Sequence, residues 1–502
     1  MTLLIRNVKI IGAPGRFPDQ GDIFVAGDKI SAIGSFPRKS ADTVIDGQGG
    51  YLLPGFIDIA AESDHYLGIF TNPAQEDFLR QGVTTIIGGG EGASLAPLIY
   101  GDLGVLEEWL TGERPINVDW HTMREFISVL ERRRFGVNFG TLVGHSTVRV
   151  ALTAGERRDL TRNEMAVFER IVGEALREGG FGVSAGLKGT HGRGAAYGEI
   201  RALGKLVRRT GGILSIALRK NAPLGAALGE ALRLASDTDA TTIISNFAPI
   251  LGQGSEYGLA LDVLKNAPVN VYFDIAPFEV SARPFYRFLP DWAQRGTIRD
   301  MAEKLDDPWF RERVTRELIV PEPERFTVSR TFGHEGLVGR TLADLTAIFG
   351  VRYPAEALMR LLTTTRLKGI ALLRNADETL TSEALAHPRA LIASRGFCLP
   401  EFYDGRRTIN PDKADTFPHL VRLALAAGEA ELDGLARRAS ERPAKLLGLT
   451  DRGTIRESAI ADLACFDREG KTKFTVVAGA VAWQNDAPTA KFFGRALRHR
   501  RS

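Results

Sequence analysis

Glu62, Asp64, His65 and Glu91 are the residue types of general acid–base and oxygen-ligand chemistry. Carboxylates trade protons or hold hard cations, and an imidazole titrates near neutrality. His65 lies in Ser63-Asp64-His65-Tyr66, where its acidic neighbour could orient it as a base or simply hold it in a loop. A second group is cationic. Lys188, His191 and Arg193 share the segment Lys188-Gly189-Thr190-His191-Gly192-Arg193-Gly194, and Arg219 (with Lys220 beside it) and Arg395 add positive charge elsewhere. Glycines expose backbone N–H groups, so this segment suits an anionic ligand or else a flexible, solvated loop. It lacks the spacing of a nucleotide phosphate loop. His145, in Val143-Gly144-His145-Ser146-Thr147, belongs to a pocket wall or to the structure behind it, and Ser146 lacks the G-x-S-x-G elbow of an acyl-transfer serine.

These residues end or follow short apolar segments that alternate with amphipathic stretches, the pattern of a parallel sheet with crossover helices. Eight strand candidates occur, at 55–58, 84–88, 138–144, 180–185, 213–218, 241–246, 269–275 and 390–394. Eight is the closure number of a (β/α)8 barrel, whose chemistry sits at the C-terminal ends of its strands. After Thr161 the apolar residues Phe168, Ile171, Val172, Ala175 and Leu176 form one helical stripe, with Asp159 or Thr161 as its cap. Turn-punctuated β-like runs at both chain ends, 1–54 and 445–492, are expected to pair into one small β-sandwich domain. The barrel would then comprise 55–281 and 354–444. The connection between strands seven and eight is too long for a simple crossover, which predicts an inserted subdomain or lid at 282–353.

Several segments carry a resemblance: Gly55-Phe56-Ile57-Asp58, Gln81-Gly82-Val83-Thr84-Thr85 followed by Ser94-Leu95-Ala96-Pro97-Leu98, Val143-Gly144-His145-Ser146-Thr147, and Ala461-Asp462-Leu463. Together they are similar to the D-aminoacylase (N-acyl-D-amino-acid deacylase) branch of the amidohydrolase superfamily over essentially the whole chain. The resemblance implies zinc held by a His-x-His pair on strand one, a cysteine after strand two and histidines after strands five and six, with an aspartate after strand eight moving the proton. Zinc so held lowers the pKa of bound water to about 7 and makes hydroxide. On that pattern Ala60 and Glu62 stand at the first pair, Glu91 at the cysteine, Ala217 and Asn246 at the two histidines, and Arg395 at the aspartate. Every implied ligand is a different residue. Strand eight neighbours strand one in a closed barrel, so Arg395 is expected to reach Glu62 and Glu91 and to replace the charge of the metal.

The expectation that follows is an amidohydrolase-fold pseudoenzyme that has lost zinc-dependent C–N hydrolysis, needs no cofactor, and offers Lys188, His191, Arg193, Arg219, Arg395 and His145 to an anionic small molecule. An active homologue or a second copy of the chain is an alternative partner. The competing expectation is an active hydrolase of a non-peptide C–N bond with a remodelled site of Glu62, Asp64, His65 and Glu91, zinc entering only there. At 502 residues, 44% hydrophobic and with a net charge of +3, the chain can bury a large core and has no concentrated basic stripe for nucleic acid. It shows no signal peptide and no membrane span, and Cys398 and Cys465 stand alone as apolar fillers, which points to the cytoplasm. The basic tail 495–501 reads as a frayed terminus.

Overall fold

In the computed structural model the residues described are 1–13, 20–101, 103–106, 109, 116–156, 158–189, 191–220, 222–278, 280–331, 333–396, 415–489 and 492–500. Cys398 and Thr190 lie outside them. All eight strand candidates form, and they build a (β/α)8 barrel: β1 (Phe56–Asp58), β2 (Val83–Gly88), β3 (Asn138–Thr141, resuming at Val143–Gly144), β4 (Gly182–Gly186), β5 (Ile213–Ala217), β6 (Thr241–Ile244), β7 (Val271–Ile275) and β8 (Ala390–Ile392). Nearly every residue in them is buried, as expected of a parallel sheet covered on both faces. The ladder runs in parallel from β1 to β3 and from the resumed part of β3 to β8.

Between β8 and β1 the closure is made differently. The Ser394 backbone N–H donates to both oxygens of the buried Asp58 carboxylate at 3.2 Å, the Ser394 hydroxyl donates to the same group, and Glu62 N donates to Gly396 O at 2.7 Å. Helices cover the outside. The one at Arg162–Arg177 starts in a capping box: Thr161 Oγ1 accepts from Glu164 N, and Glu164 accepts from Thr161 N. It buries Phe168, Val172, Ala175 and Leu176, the stripe the spacing predicts, and Thr161 rather than Asp159 is its cap.

Both chain ends meet in the β-sandwich domain as one continuous eight-stranded ladder. The strand Thr43–Pro54 lies parallel to Thr2–Ile10 and antiparallel to Leu463–Phe466, with Leu463 opposite Pro54 and Phe466 opposite Tyr51. The insertion is larger than 282–353. Its sheet consists of Val280–Pro284, Phe326–Thr331 and Gly369–Arg374, the last being central and antiparallel to both others. The helix Pro354–Thr364 packs Ala357, Leu358, Leu361 and Leu362 into the same core as Phe285 and Phe288. This apolar helix and strand read as a barrel α/β pair by pattern alone, because their long-range partners are invisible to local periodicity.

The described part of the tail, 495–500, is held in place instead of frayed. β3 breaks at Leu142 and leaves Asn138–Thr141 with an open edge, and the tail fills it: Phe139 N donates to Arg495 O at 2.9 Å and Leu497 N to Phe139 O at 2.7 Å. His499 N donates to Gly179 O, and the His499 ring meets Phe181 edge-on. Unpaired edges bind available backbone, and this one is covered within the chain.

One buried ion pair joins the β-sandwich domain to the barrel. Asp462 accepts from Arg452 Nη1 at 2.7 Å, from Ala478 N at 2.7 Å and from Asn138 Nδ2 of β3 at 3.1 Å. Removing the carboxylate strands a buried guanidinium. Asp462→Ala is therefore expected to lower the unfolding free energy by about 3–5 kcal/mol, measured by urea denaturation, with Asp462→Asn losing less because it keeps acceptor capacity.

Candidate functional site

Three residues at strand ends adopt left-handed backbone: Glu91 after β2 (φ 51°), Asn246 after β6 (φ 56°) and Arg395 after β8 (φ 51°). Each sits where the chain leaves a strand and turns over the barrel mouth. Non-glycine residues in this region are uncommon and collect at functional sites.

The Arg395 side chain is nearly buried and is the centre of the mouth. Its Nη1 donates to Glu91 Oε1 at 3.0 Å and lies 3.8 Å from Glu62 Oε1. Its Nη2 donates to Asp274 Oδ1 and to Ser245 Oγ, both at 2.8 Å. Lys188 Nζ takes the other oxygen of Glu91 at 3.0 Å. Burial alone would raise the Glu91 pKa, but Lys188 and Arg395 outweigh it and bring the carboxyl down to about 2. Burial likewise works against the charge on Arg395, and Asp274, Glu91 and Glu62 overcome it, so the guanidinium stays ionised. Lys188 is pushed down by burial, with Glu91 opposing. Two cations thus lie among three carboxylates, Glu62, Glu91 and Asp274. Asp274 Oδ1 also accepts from Asn246 N at 2.9 Å, so one carboxylate of β7 ties the ends of β6 and β8.

The remaining positions offer little to a dication. Ala60 and Ala217 are buried methyl groups, and among the described residues no group of three His, Cys, Asp or Glu side chains is arranged to hold a metal ion. At the seam, burial raises Asp58 to about 6 despite its bonds to Ser394 and Ala60.

Asp64 and His65 are fully buried outside the cavity lining. Asp64 Oδ2 accepts from Gly89 N at 2.7 Å, and burial raises this carboxyl. His65 Nε2 bonds Ala93 O at 3.1 Å while its ring packs on Trp109 at 4.5 Å. Their expected acid–base role has no route to a ligand in the mouth. His145 turns outward between helices, with Nε2 2.6 Å from Glu199, which Arg149 also reaches at 3.0 Å. His191 lies off the cavity wall as well.

The cavity has a volume of about 650 Å³, with Arg395, Glu91 and Lys188 at its base and Arg193 and Arg219 on its wall. Both wall residues are already paired: Arg193 with Asp291 at 2.9 Å, and Arg219 with Glu230 at 2.8 Å. Arg219 also donates to Arg193 O and Ala195 O, which pins the glycine-rich segment in place of the loose loop considered from sequence. Sequence reasoning missed Asp58, Ser245, Asp274, Arg283 and Arg287. Asp274 had a signal, a lone carboxylate near the end of an otherwise apolar strand candidate; the two arginines lie in the insertion, whose docking on the mouth no local pattern reveals.

No family model matches the chain. It is 26% identical to N-acyl-D-glutamate deacylase of Alcaligenes xylosoxydans xylosoxydans over 95% of this chain and 88% of that one, and 27% identical to D-aminoacylase of the same organism over 96% and 94%. Among solved structures it is similar to N-acyl-D-glutamate deacylase of Bordetella bronchiseptica complexed with zinc and a phosphonate inhibitor, with a TM-score of 0.79 at 23% identity and 99% coverage of both chains. A D-aminoacylase with a binuclear metal centre gives a TM-score of 0.78 at 23% identity, again over 99% of both. These neighbours overturn the expectation that no cofactor belongs here, since the proteins sharing this fold carry metal. The side chains of this mouth as they stand do not fit that metal: the carboxylates are engaged by Arg395 and Lys188, and a dication among them would require both cations to leave. Over nearly its full length, in sequence and in the shared barrel, the chain is similar to the D-aminoacylases of the amidohydrolase superfamily.

Proposed function

We propose that this D-aminoacylase-like protein binds an anionic small molecule in its barrel mouth and does not run zinc-dependent C–N hydrolysis through the centre at Arg395. The observation that carries the reading is the guanidinium bonded to Glu91 and Asp274 with Lys188 on the far oxygen of Glu91. Hydrolysis by a metal needs a dication to ionise water, and here fixed cations already neutralise the available carboxylates. Because the relatives are named for N-acyl-D-glutamate and D-amino acids, a carboxylate-bearing molecule is the first class to test. Apolar Ile250 and Phe278 on the cavity wall would cover its organic part.

Untagged protein is expected to show no hydrolysis of N-acyl-D-glutamate with or without added zinc, and to bind that compound by calorimetry. Stoichiometric zinc in elemental analysis, together with turnover abolished by Glu91→Ala, would overturn the reading. Arg395→Met removes the charge that the carboxylates answer to, and is expected to cost about 3–5 kcal/mol of stability in chemical denaturation, with Arg395→Lys recovering part of it. Unchanged stability in Arg395→Met would show that the ion cluster does not hold the mouth together.

A further inference from the structure

Lys188 and Lys220 both line the cavity, and they are held differently. Lys188 Nζ lies 3.0 Å from Glu91 Oε2 and is a fixed member of the ion cluster at the base. Lys220 has no such counter-ion: among the described residues no carboxylate pairs with it. It follows the end of β5 at Ala217, where the chain leaves the barrel over its mouth, and one side of it is open to solvent. A molecule entering the cavity can therefore reach its amine.

Like charges lie beside it. Arg283, on the inserted strand Val280–Pro284, lines the same cavity, with its guanidinium 5.3 Å from the centre of the Phe288 ring and, among the described residues, no carboxylate paired with it. Arg193 lines the cavity too. The protein packed around the Lys220 ammonium pushes its pKa down and Arg283 pushes it further, while Asp291 opposes them but is itself bonded to Arg193 at 2.9 Å. An ammonium beside other cations and without a counter-ion gives up its proton more readily, and the neutral amine that remains is a nucleophile.

Resting on the reading of the mouth as an anion site, we infer that Lys220 Nζ is a carbonyl-reacting amine, and that the molecule it takes is a small oxo acid whose carboxylate lies against Arg283. The nitrogen lone pair attacks the carbonyl carbon, and the oxygen takes a proton from the nitrogen to give a carbinolamine. Loss of its hydroxyl with the second nitrogen proton forms the C=N bond and releases one water, so no oxidant or further reactant is needed. The imine is reversible. The amine and the guanidinium line the same cavity of about 650 Å³, which leaves room for a short carbon chain between them, and the planar fork of Arg283 suits a carboxylate. The fixed ions at Arg395 take no part in the step.

Incubation of the full chain with succinic semialdehyde or butyraldehyde, aldehydes that differ by a terminal carboxylate, in the presence of cyanoborohydride traps the imine, and peptide mass spectrometry locates the adduct. Lys220 is expected to react with succinic semialdehyde at least about tenfold faster than any other lysine does, and at least about tenfold faster than it reacts with butyraldehyde. Arg283→Met is expected to remove that preference for the acid, and Lys220→Arg, which keeps the charge, to abolish the fast adduct. Labelling of Lys220 no faster than that of other lysines overturns the amine, and binding of N-acyl-D-glutamate by calorimetry then leaves the reading of the mouth intact. Equal labelling of Lys220 by both aldehydes, or a preference that survives Arg283→Met, overturns the oxo acid and the role of Arg283. Failure of both the labelling and the binding overturns the two readings together.

Discussion

The barrel mouth depends on a guanidinium surrounded by carboxylates in a water-poor site. At about 3 Å and an effective dielectric of about 20, each close pair is worth roughly 5 kcal/mol of attraction. Taking the charges out of water costs several kcal/mol per ion, so one such pair would barely repay its own burial. Arg395 spreads its donors over Glu91, Asp274 and Ser245, and Lys188 closes the other side of Glu91. The shared network makes the arrangement favourable: no member is left with a bare buried charge, and each ion pays its ordering cost once for several contacts.

Backbone geometry supports the same centre. Glu91, Asn246 and Arg395 each hold a left-handed conformation that costs about 1–3 kcal/mol for a non-glycine residue. Such turns persist only where surrounding bonds overdetermine them. Asn246 N is held by Asp274, and Arg395 follows the Ser394 that bonds Asp58 across the β8–β1 seam. These turns direct Glu91, Asn246 and Arg395 into the mouth, so the residue types carried at the strand ends decide its chemistry.

The barrel was legible in the sequence because its eight strands are short apolar runs between amphipathic helices, a pattern written locally. The strand ends were legible too: Arg395, Glu62 and Glu91 converge as strand order in a closed barrel requires. Three things were not. The tail looked frayed because its only signal was charge, whereas its hydrogen bonds are made by backbone to the open edge of β3. The insertion looked shorter because Gly369–Arg374 pairs with strands far away in sequence. Asp64 and His65 suggested by adjacency either an oriented base or a histidine held in its loop, and the chain turns both into the wall, where Asp64 Oδ2 accepts from Gly89 N and His65 Nε2 bonds Ala93 O.

Asp274 links the two halves of the cavity. Its Oδ1 serves both Arg395 and the backbone of Asn246, and the loop beyond Asn246 supplies Ala248, Pro249 and Ile250 to the cavity wall. The strand Val280–Pro284 begins a few residues after β7 ends, so the insertion departs from the same strand end that carries Asp274. Arg395 thereby balances the charge at the base of the mouth and, through Asp274, holds together the ends of β6 and β8 that frame it.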